Sequence, residues 1–249
     1  MSAISFKDLT RAFGGSFALN GATAEIQGAR TTAIIGPNGA GKTTLLNILT
    51  GFLAADSGQC FLGERKITGM SVEAIARLGL VRTFQEVRLI RQVSVLENVL
   101  LAQPRQRGER LGTVLLRSLW RSDEVRIREV ALDWLGMAGL MGKKSLLAEN
   151  LSYGQQKLLS LAMCLAADAK ILLLDEPVAG VDPEMKDRIL RVLREVRKET
   201  TTIVFIEHDL DVVRRAADEV IVMEAGRVLL KGAPEDVLES REVLDAYVG

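Results

Sequence analysis

Residues Gly36-Pro-Asn-Gly-Ala-Gly-Lys-Thr43 constrain this chain more than any other segment. Gly36, Gly41, Lys42 and Thr43 stand at the fixed places of the Gly-x4-Gly-Lys-Thr pattern, with Pro37, Asn38, Gly39 and Ala40 between them and Thr44 after them. The β-branched, apolar run Thr31–Ile35 precedes it, and an apolar-periodic run, Lys42–Leu49, follows, so the pattern sits on a strand, a glycine-rich loop and a helix. Glycines let the backbone curl until successive N–H groups point inward at phosphate oxygens. The helix starting at Lys42 adds its positive dipole end. Lys42 reaches the β- and γ-phosphates, and Thr43 offers a hydroxyl to Mg²⁺. Gly36 through Thr44 is therefore assigned to nucleotide binding.

Two further motifs carry chemistry. In Ile171-Leu-Leu-Leu-Asp-Glu-Pro177 an apolar strand ends in two carboxylates, at the edge of a parallel sheet where ligands bind. Asp175 suits the role of holding Mg²⁺ through its water shell. Glu176, one residue on, is placed to act as general base toward an attacking water. Alone, the pair reads equally as solvated carboxylates after a core strand. In Leu151-Ser-Tyr-Gly-Gln-Gln-Lys157, Ser152 has two readings: a plain N-cap of the following helix, or, with Gly154, an anion site at a helix N-terminus.

The remaining pattern gives the architecture. Ile4–Leu9, Ala18–Ile26, Cys60–Leu62 and Val81–Phe84 read as strands, punctuated by Gly14-Gly15 and Gln27-Gly28. From about Gln85 to Ala167 the spacing turns helical, over Val95–Ala102, Val125–Met137 and Gly154–Ala167. The last third alternates: strand Ile171–Leu174, helix Pro183–Lys198 behind an Asp182 cap, strand Thr202–Ile206, helix Asp209–Ala217, then a hairpin of Glu219–Glu224 and Arg227–Leu230 around Ala225-Gly226. Alternating strands and helices predict a mainly parallel α/β sheet, with a helical block inserted between its halves.

Composition narrows the function. Lys and Arg together number 32, as do Asp and Glu, so the chain lacks the basic footprint of a general nucleic-acid binder. Aromatic residues make up 4%, leaving few platforms on which single strands stack. The two cysteines, Cys60 and Cys164, lie far apart without metal spacing, which predicts buried free thiols in a reducing compartment. The start shows no signal-peptide pattern, and no stretch has the roughly 18 uncharged apolar residues of a membrane span. Any contact with a membrane is expected through a partner.

Over essentially its whole length the chain resembles the ATP-binding-cassette (ABC) ATPases. The glycine loop, Gln85 in Thr-Phe-Gln, Leu-Ser-Tyr-Gly-Gln, the Asp175-Glu176 pair, Gly180-Val-Asp182 and His208 come in that family's order. The resemblance implies a P-loop NTPase (RecA-like) core with an antiparallel β subdomain, built from 1–84 and 165–249, and an inserted α-helical subdomain, 85–164. It implies ATP and Mg²⁺ as ligands, with Gln85 contacting the metal and the attacking water and moving with the helical subdomain. Ser152, Gly154 and Gln155 would bind nucleotide held by an opposite protomer. Asp182 would lie at the protomer interface, and His208, the chain's one histidine, would hydrogen-bond the γ-phosphate. Phe13 falls where the family stacks an aromatic ring on adenine.

Softer markers narrow the resemblance. Val81-Arg-Thr-Phe-Gln85, Arg88-Leu, Val95-Leu-Glu-Asn98 and the ending Gly232-Ala-Pro-Glu235 to Tyr247-Val-Gly249 are similar to ATPase subunits of branched-chain amino-acid importers. Urea and amide importers and lipopolysaccharide exporters share several of them, and soluble ABC ATPases are a further alternative. Asp182 stands where importer relatives often carry Asn. The implied partners are transmembrane permease subunits and a second ATPase protomer, identical or not, at the cytoplasmic face of the inner membrane. Residues 103–128 hold seven arginines, which read as a solvated helical insertion or as a basic amphipathic surface facing the permease and lipid headgroups.

Overall fold

The computed structural model describes residues 2–83, 88–104, 117–198, 201–241 and 243. The expected roles of Gln85 and of the Tyr247–Gly249 ending, and residues 105–116 of the basic segment, lie outside these residues.

The chain divides into two compact units. The first comprises 1–82, 170–179 and 193–249; the second comprises 83–169 and 180–192. The helical block thus takes in 83–84, 165–169 and 180–192 besides the range 85–164 expected for it.

The first unit holds two sheets. Strands β1 (Ser2–Phe13), β2 (Ser16–Gln27), β4 (Ser57–Leu62) and β5 (Arg65–Lys66) pair antiparallel in the order β2-β1-β4-β5. The β1–β2 hairpin closes over Gly14-Gly15, both with positive φ, as a tight two-residue turn requires. β1 and β2 run longer than the sequence pattern indicates. Register shifts, with Asp8 at φ 52°, break the alternation while pairing continues.

The second sheet has the order β10-β9-β3-β8-β7-β6, from β3 (Thr31–Ile35), β6 (Leu80–Arg82), β7 (Ile171–Asp175), β8 (Thr202–Ile206), β9 (Glu219–Glu224) and β10 (Arg227–Gly232). β6, β7, β8, β3 and β9 run parallel; β10 returns antiparallel through Ala225-Gly226, again with φ positive at both residues. β3, β7 and β8 are buried at every position, which explains their unbroken apolar and β-branched runs. Helix α1 (Lys42–Leu49) buries Leu45, Leu46 and Leu49 in one core with Phe6 and Leu9 of β1, Leu19 of β2, Leu173 of β7 and Ile206 of β8. The short helices α2 (Val72–Ala76), α7 (Leu210–Ala216) and α8 (Pro234–Leu238) complete this unit.

The second unit is helical: α3 (Val95–Ala102), α4 (Arg117–Met137), α5 (Tyr153–Ala166) and the first part of α6 (Pro183–Lys198). Ser94 and Glu97 form a capping box at α3. Asn98, fully buried, donates to the carbonyls of Ile90 and Ser94 and accepts from the Ile90 N–H, so it ties the approach loop to the helix. No helix among the described residues is long and apolar enough to cross a membrane.

Candidate nucleotide site

Parallel pairing brings the ends of β3, β7 and β8 to one edge of the sheet, with β8 between the other two. The glycine loop with Lys42, the Asp175-Glu176 pair and His208 gather there. Beyond β3 the chain turns at Gly36 and winds through Pro37, Asn38, Gly39 and Ala40 to Gly41, which precedes α1 at φ 97°. Gly36 and Gly41 are required by space as well as by backbone angle. A Cβ on Gly36 would stand 2.0 Å from the Met223 carbonyl oxygen, and one on Gly41 would stand 2.3 Å from that of Ala18. Gly39 needs only its φ of 81°, for nothing lies within 4 Å of its missing Cβ. No side chain caps α1 and no acidic residue sits in its first turn, so its dipole end is offered to an anion.

Lys42 is buried. Its Nζ donates to the carbonyls of Gly36 at 2.7 Å and Pro37 at 2.9 Å, holding the ammonium across the loop. Burial pushes its pKa below the usual lysine value, while the carboxylates of Glu176 and Asp175 act in the opposite direction. Thr43 is exposed and Thr44 half-buried in the same first turn.

Asp175 closes β7 in near-complete burial. Glu176 follows in the left-handed region, φ 49°, with its N–H donating to the Ile206 carbonyl at 3.0 Å. A non-glycine residue held there costs about 1–2 kcal/mol, which the β8 hydrogen bond helps to offset. Glu176 Oε1 and His208 Nε2 are 3.2 Å apart. Two groups here escaped the sequence analysis. Arg82, at the end of β6, lies 2.7 Å from Asp175 Oδ2. Buried Glu207 accepts from the Val178 N–H at 3.0 Å and from the His208 N–H at 3.3 Å, fastening the turn after Glu176 to the turn bearing His208.

Phe13 ends β1 with its ring 49% exposed. The Arg11 guanidinium lies 4.9 Å from the ring centroid and is itself paired to Asp56 at 2.7 Å. The ring is thus backed by a cation that a carboxylate holds in place.

Within the second unit, Ser152 and Gln155 make a capping box: the Gln155 N–H donates to Ser152 Oγ at 3.4 Å, and Gln155 Oε1 accepts from the Ser152 N–H at 3.2 Å. Lys143 Nζ also donates to Gln155 Oε1, at 3.1 Å. The capping reading of Ser152 therefore holds, and its hydroxyl proton can still donate to an anion. Gly154 is set by close approach, because a Cβ there would meet Met185 Cγ at 2.4 Å. Asp182 caps α6, its Oδ1 accepting from the Met185 N–H at 3.0 Å.

The donor set fits ATP with Mg²⁺. A loop that excludes Cβ atoms and an uncapped helix start suit phosphate. For the metal, a threonine hydroxyl and one buried carboxylate are hard oxygen ligands, as Mg²⁺ prefers when substrate phosphates and water complete its shell. No group of three or more metal-binding side chains occurs among the described residues, so an ion caged by protein alone finds no support there.

Comparisons with known proteins point to one family. Residues 19–179 match the family described as ABC transporter. The chain is 39% identical over 239 residues to the high-affinity branched-chain amino acid transport ATP-binding protein LivG of Salmonella typhimurium, covering 95% of this chain and 94% of that one. Its structure is similar to MJ1267, an ATP-binding cassette of an ABC transporter in the ADP conformation, with TM-score 0.86 and 32% identity over 100% of this chain and 99% of that one. It is also similar to the cassette MJ0796, a dimer in a post-hydrolysis state bound to ADP and Pi, with TM-score 0.77 and 25% identity over 93% and 98% of the two chains.

Proposed function

Since the chain belongs to the ABC transporter family, we propose that it is the ATP-hydrolysing subunit driving uptake of branched-chain or related amino acids. The observation that carries this reading is the convergence of Lys42, Asp175, Glu176 and His208 at one sheet edge, with Glu176 and His208 3.2 Å apart. The loop amides and Lys42 bind and orient the phosphates. Thr43 and Asp175 would hold Mg²⁺, which neutralises charge on the β- and γ-oxygens when bound. Glu176 accepts the proton of the attacking water, and His208 steadies both that carboxylate and the γ-phosphate. Phe13, backed by Arg11, supplies a stacking face for the adenine.

Ser152, Gly154 and Gln155 act in this reading on nucleotide held by a second protomer, with Asp182 at the shared interface. Gln85 contributes to the metal and water. Permease subunits anchor the pair at the cytoplasmic face of the inner membrane. Two measurements test the proposal. Specific ATPase activity of the isolated chain should rise with protein concentration, because a weak pair is the active unit; activity that stays flat across the dimerisation range would remove the composite site. Deleting the gene should abolish high-affinity uptake of labelled leucine, isoleucine and valine; unchanged uptake of all three would remove the substrate assignment.

A further inference from the structure

Arg82 closes β6, the strand beside β7, and is the last residue of the first unit before the chain passes into the second at Thr83. Its guanidinium is almost wholly buried, with the side chain 5% exposed. One arm, Nη2, donates to Asp175 Oδ2 at 2.7 Å; the other, Nη1, donates to Asn47 Oδ1 at 2.6 Å. The two acceptors lie on separate elements, Asp175 at the end of β7 and Asn47 on α1. Asn47 is four residues after Thr43, so the two share one face of α1, a turn apart. The guanidinium therefore spans from the helix turn beneath Thr43 to the carboxylate of Asp175, the two protein groups that face the metal in the proposed function.

A planar, permanently charged fork suits that task. It fixes two acceptors in one plane, whereas a lysine ammonium on its flexible stem does not. With Oδ2 held by Nη2, the rotation of the Asp175 carboxylate is set and Oδ1 is aimed consistently. The fork also sets the spacing between β7 and α1 at the level where Mg²⁺ demands near-ideal octahedral geometry. We propose that Arg82 is a positioning residue for the metal site, holding Asp175 and the Thr43 face of α1 at the separation that Mg²⁺ with ATP requires. The proposal rests on the metal-dependent ATPase reading. It is new in making a residue that touches neither nucleotide nor metal responsible for the metal's affinity.

The test uses the full chain in a Glu176→Gln background, so that ATP persists. Its readouts are ATP affinity in EDTA, and Mn²⁺ affinity in the presence of ATP followed by electron paramagnetic resonance. Arg82→Lys keeps the charge and loses the fork. It should leave metal-free ATP affinity within about threefold and weaken Mn²⁺ binding by about tenfold or more, the size of effect that partners of metal ligands exert. Asn47→Leu, which removes only the helix end of the span, should shift Mn²⁺ affinity in the same direction by a smaller factor. A folded Arg82→Lys protein with Mn²⁺ affinity within twofold of its parent overturns the proposal. Should Arg82→Lys not fold, unchanged Mn²⁺ affinity in Asn47→Leu overturns it instead. A parent protein whose ATP affinity gains nothing from metal overturns the metal-dependent reading itself, and is distinguished by failing before any Arg82 variant is compared.

Discussion

Glu176 Oε1 lies 3.2 Å from His208 Nε2, although the two residues follow different strands, β7 and β8. The carboxylate and the imidazole are thereby held as a pair next to the loop that carries Lys42. Replacing Glu176 by Gln keeps the shape and removes the proton acceptor. ATP binding should be retained and turnover should fall by about 10²–10⁴-fold, the usual contribution of a positioned base. Near-normal single-turnover hydrolysis in Glu176→Gln would remove this residue from the base role.

Lys42 links binding to pH. Burial lowers its pKa beneath 10.5, against the opposing pull of Glu176 and Asp175. On raising the pH, the ammonium is lost earlier than from an exposed lysine, so ATP affinity should decline before 10.5 is reached. Across that window the unfolded chain binds more protons than the folded one, so this group's contribution to stability rises with pH while binding falls. Lys42→Met should bind ATP weakly at neutral pH and show no such decline. Equilibrium binding from pH 8 upward in both proteins checks the prediction.

The glycines of the loop should differ in their tolerance. Gly36→Ala places a Cβ on the Met223 carbonyl at a positive φ, and should cost about 3 kcal/mol or more from strain and overpacking together. Gly39→Ala meets open space and should cost only the backbone strain, about 1–2 kcal/mol. Urea unfolding of the two variants measures the difference, and equal destabilisation would contradict it.

Cys60 and Cys164 should be chemically silent in the folded protein. Burial pushes both thiols up to about 12. At pH 8 a thiolate-directed alkylating agent should modify neither cysteine until denaturant is added. The raised values also fix a sign: above the ordinary thiol range the unfolded chain loses protons that the folded one retains, so stability falls as pH climbs toward 12. Rapid native-state labelling of either cysteine would show the burial to be wrong.

What was legible in the sequence follows from where the constraint is written. Strands β3, β8 and β9 and helices α1, α3 and α6 have the bounds the spacing predicts, because each is a run of one periodicity between strong breakers. Gly36 to Thr43 and Asp175-Glu176 were readable because their chemistry needs neighbours in the chain. Arg82 and Glu207 were not. Arg82 finds Asp175 at a sequence distance of 93 residues, and Glu207 finds Val178 at 29. Only sheet order makes such residues neighbours. α2, α8 and β5 are five, five and two residues long, too short for a periodic signal.

The sheet order also sets a timetable. β3 carries the phosphate loop and is made early, yet both strands that flank it, β8 and β9, are encoded after residue 200. On the ribosome the loop must wait for nearly the whole chain before the strand behind it has a neighbour on either side. At the usual 5–20 residues per second that delay is on the order of ten to forty seconds. Through that interval the apolar β3 has no native sheet to join and is a ready target for chaperones. A nascent chain halted before β8 has its Gly36–Thr43 sequence but neither of the strands that flank β3, so ATP can stabilise the fold only late in synthesis.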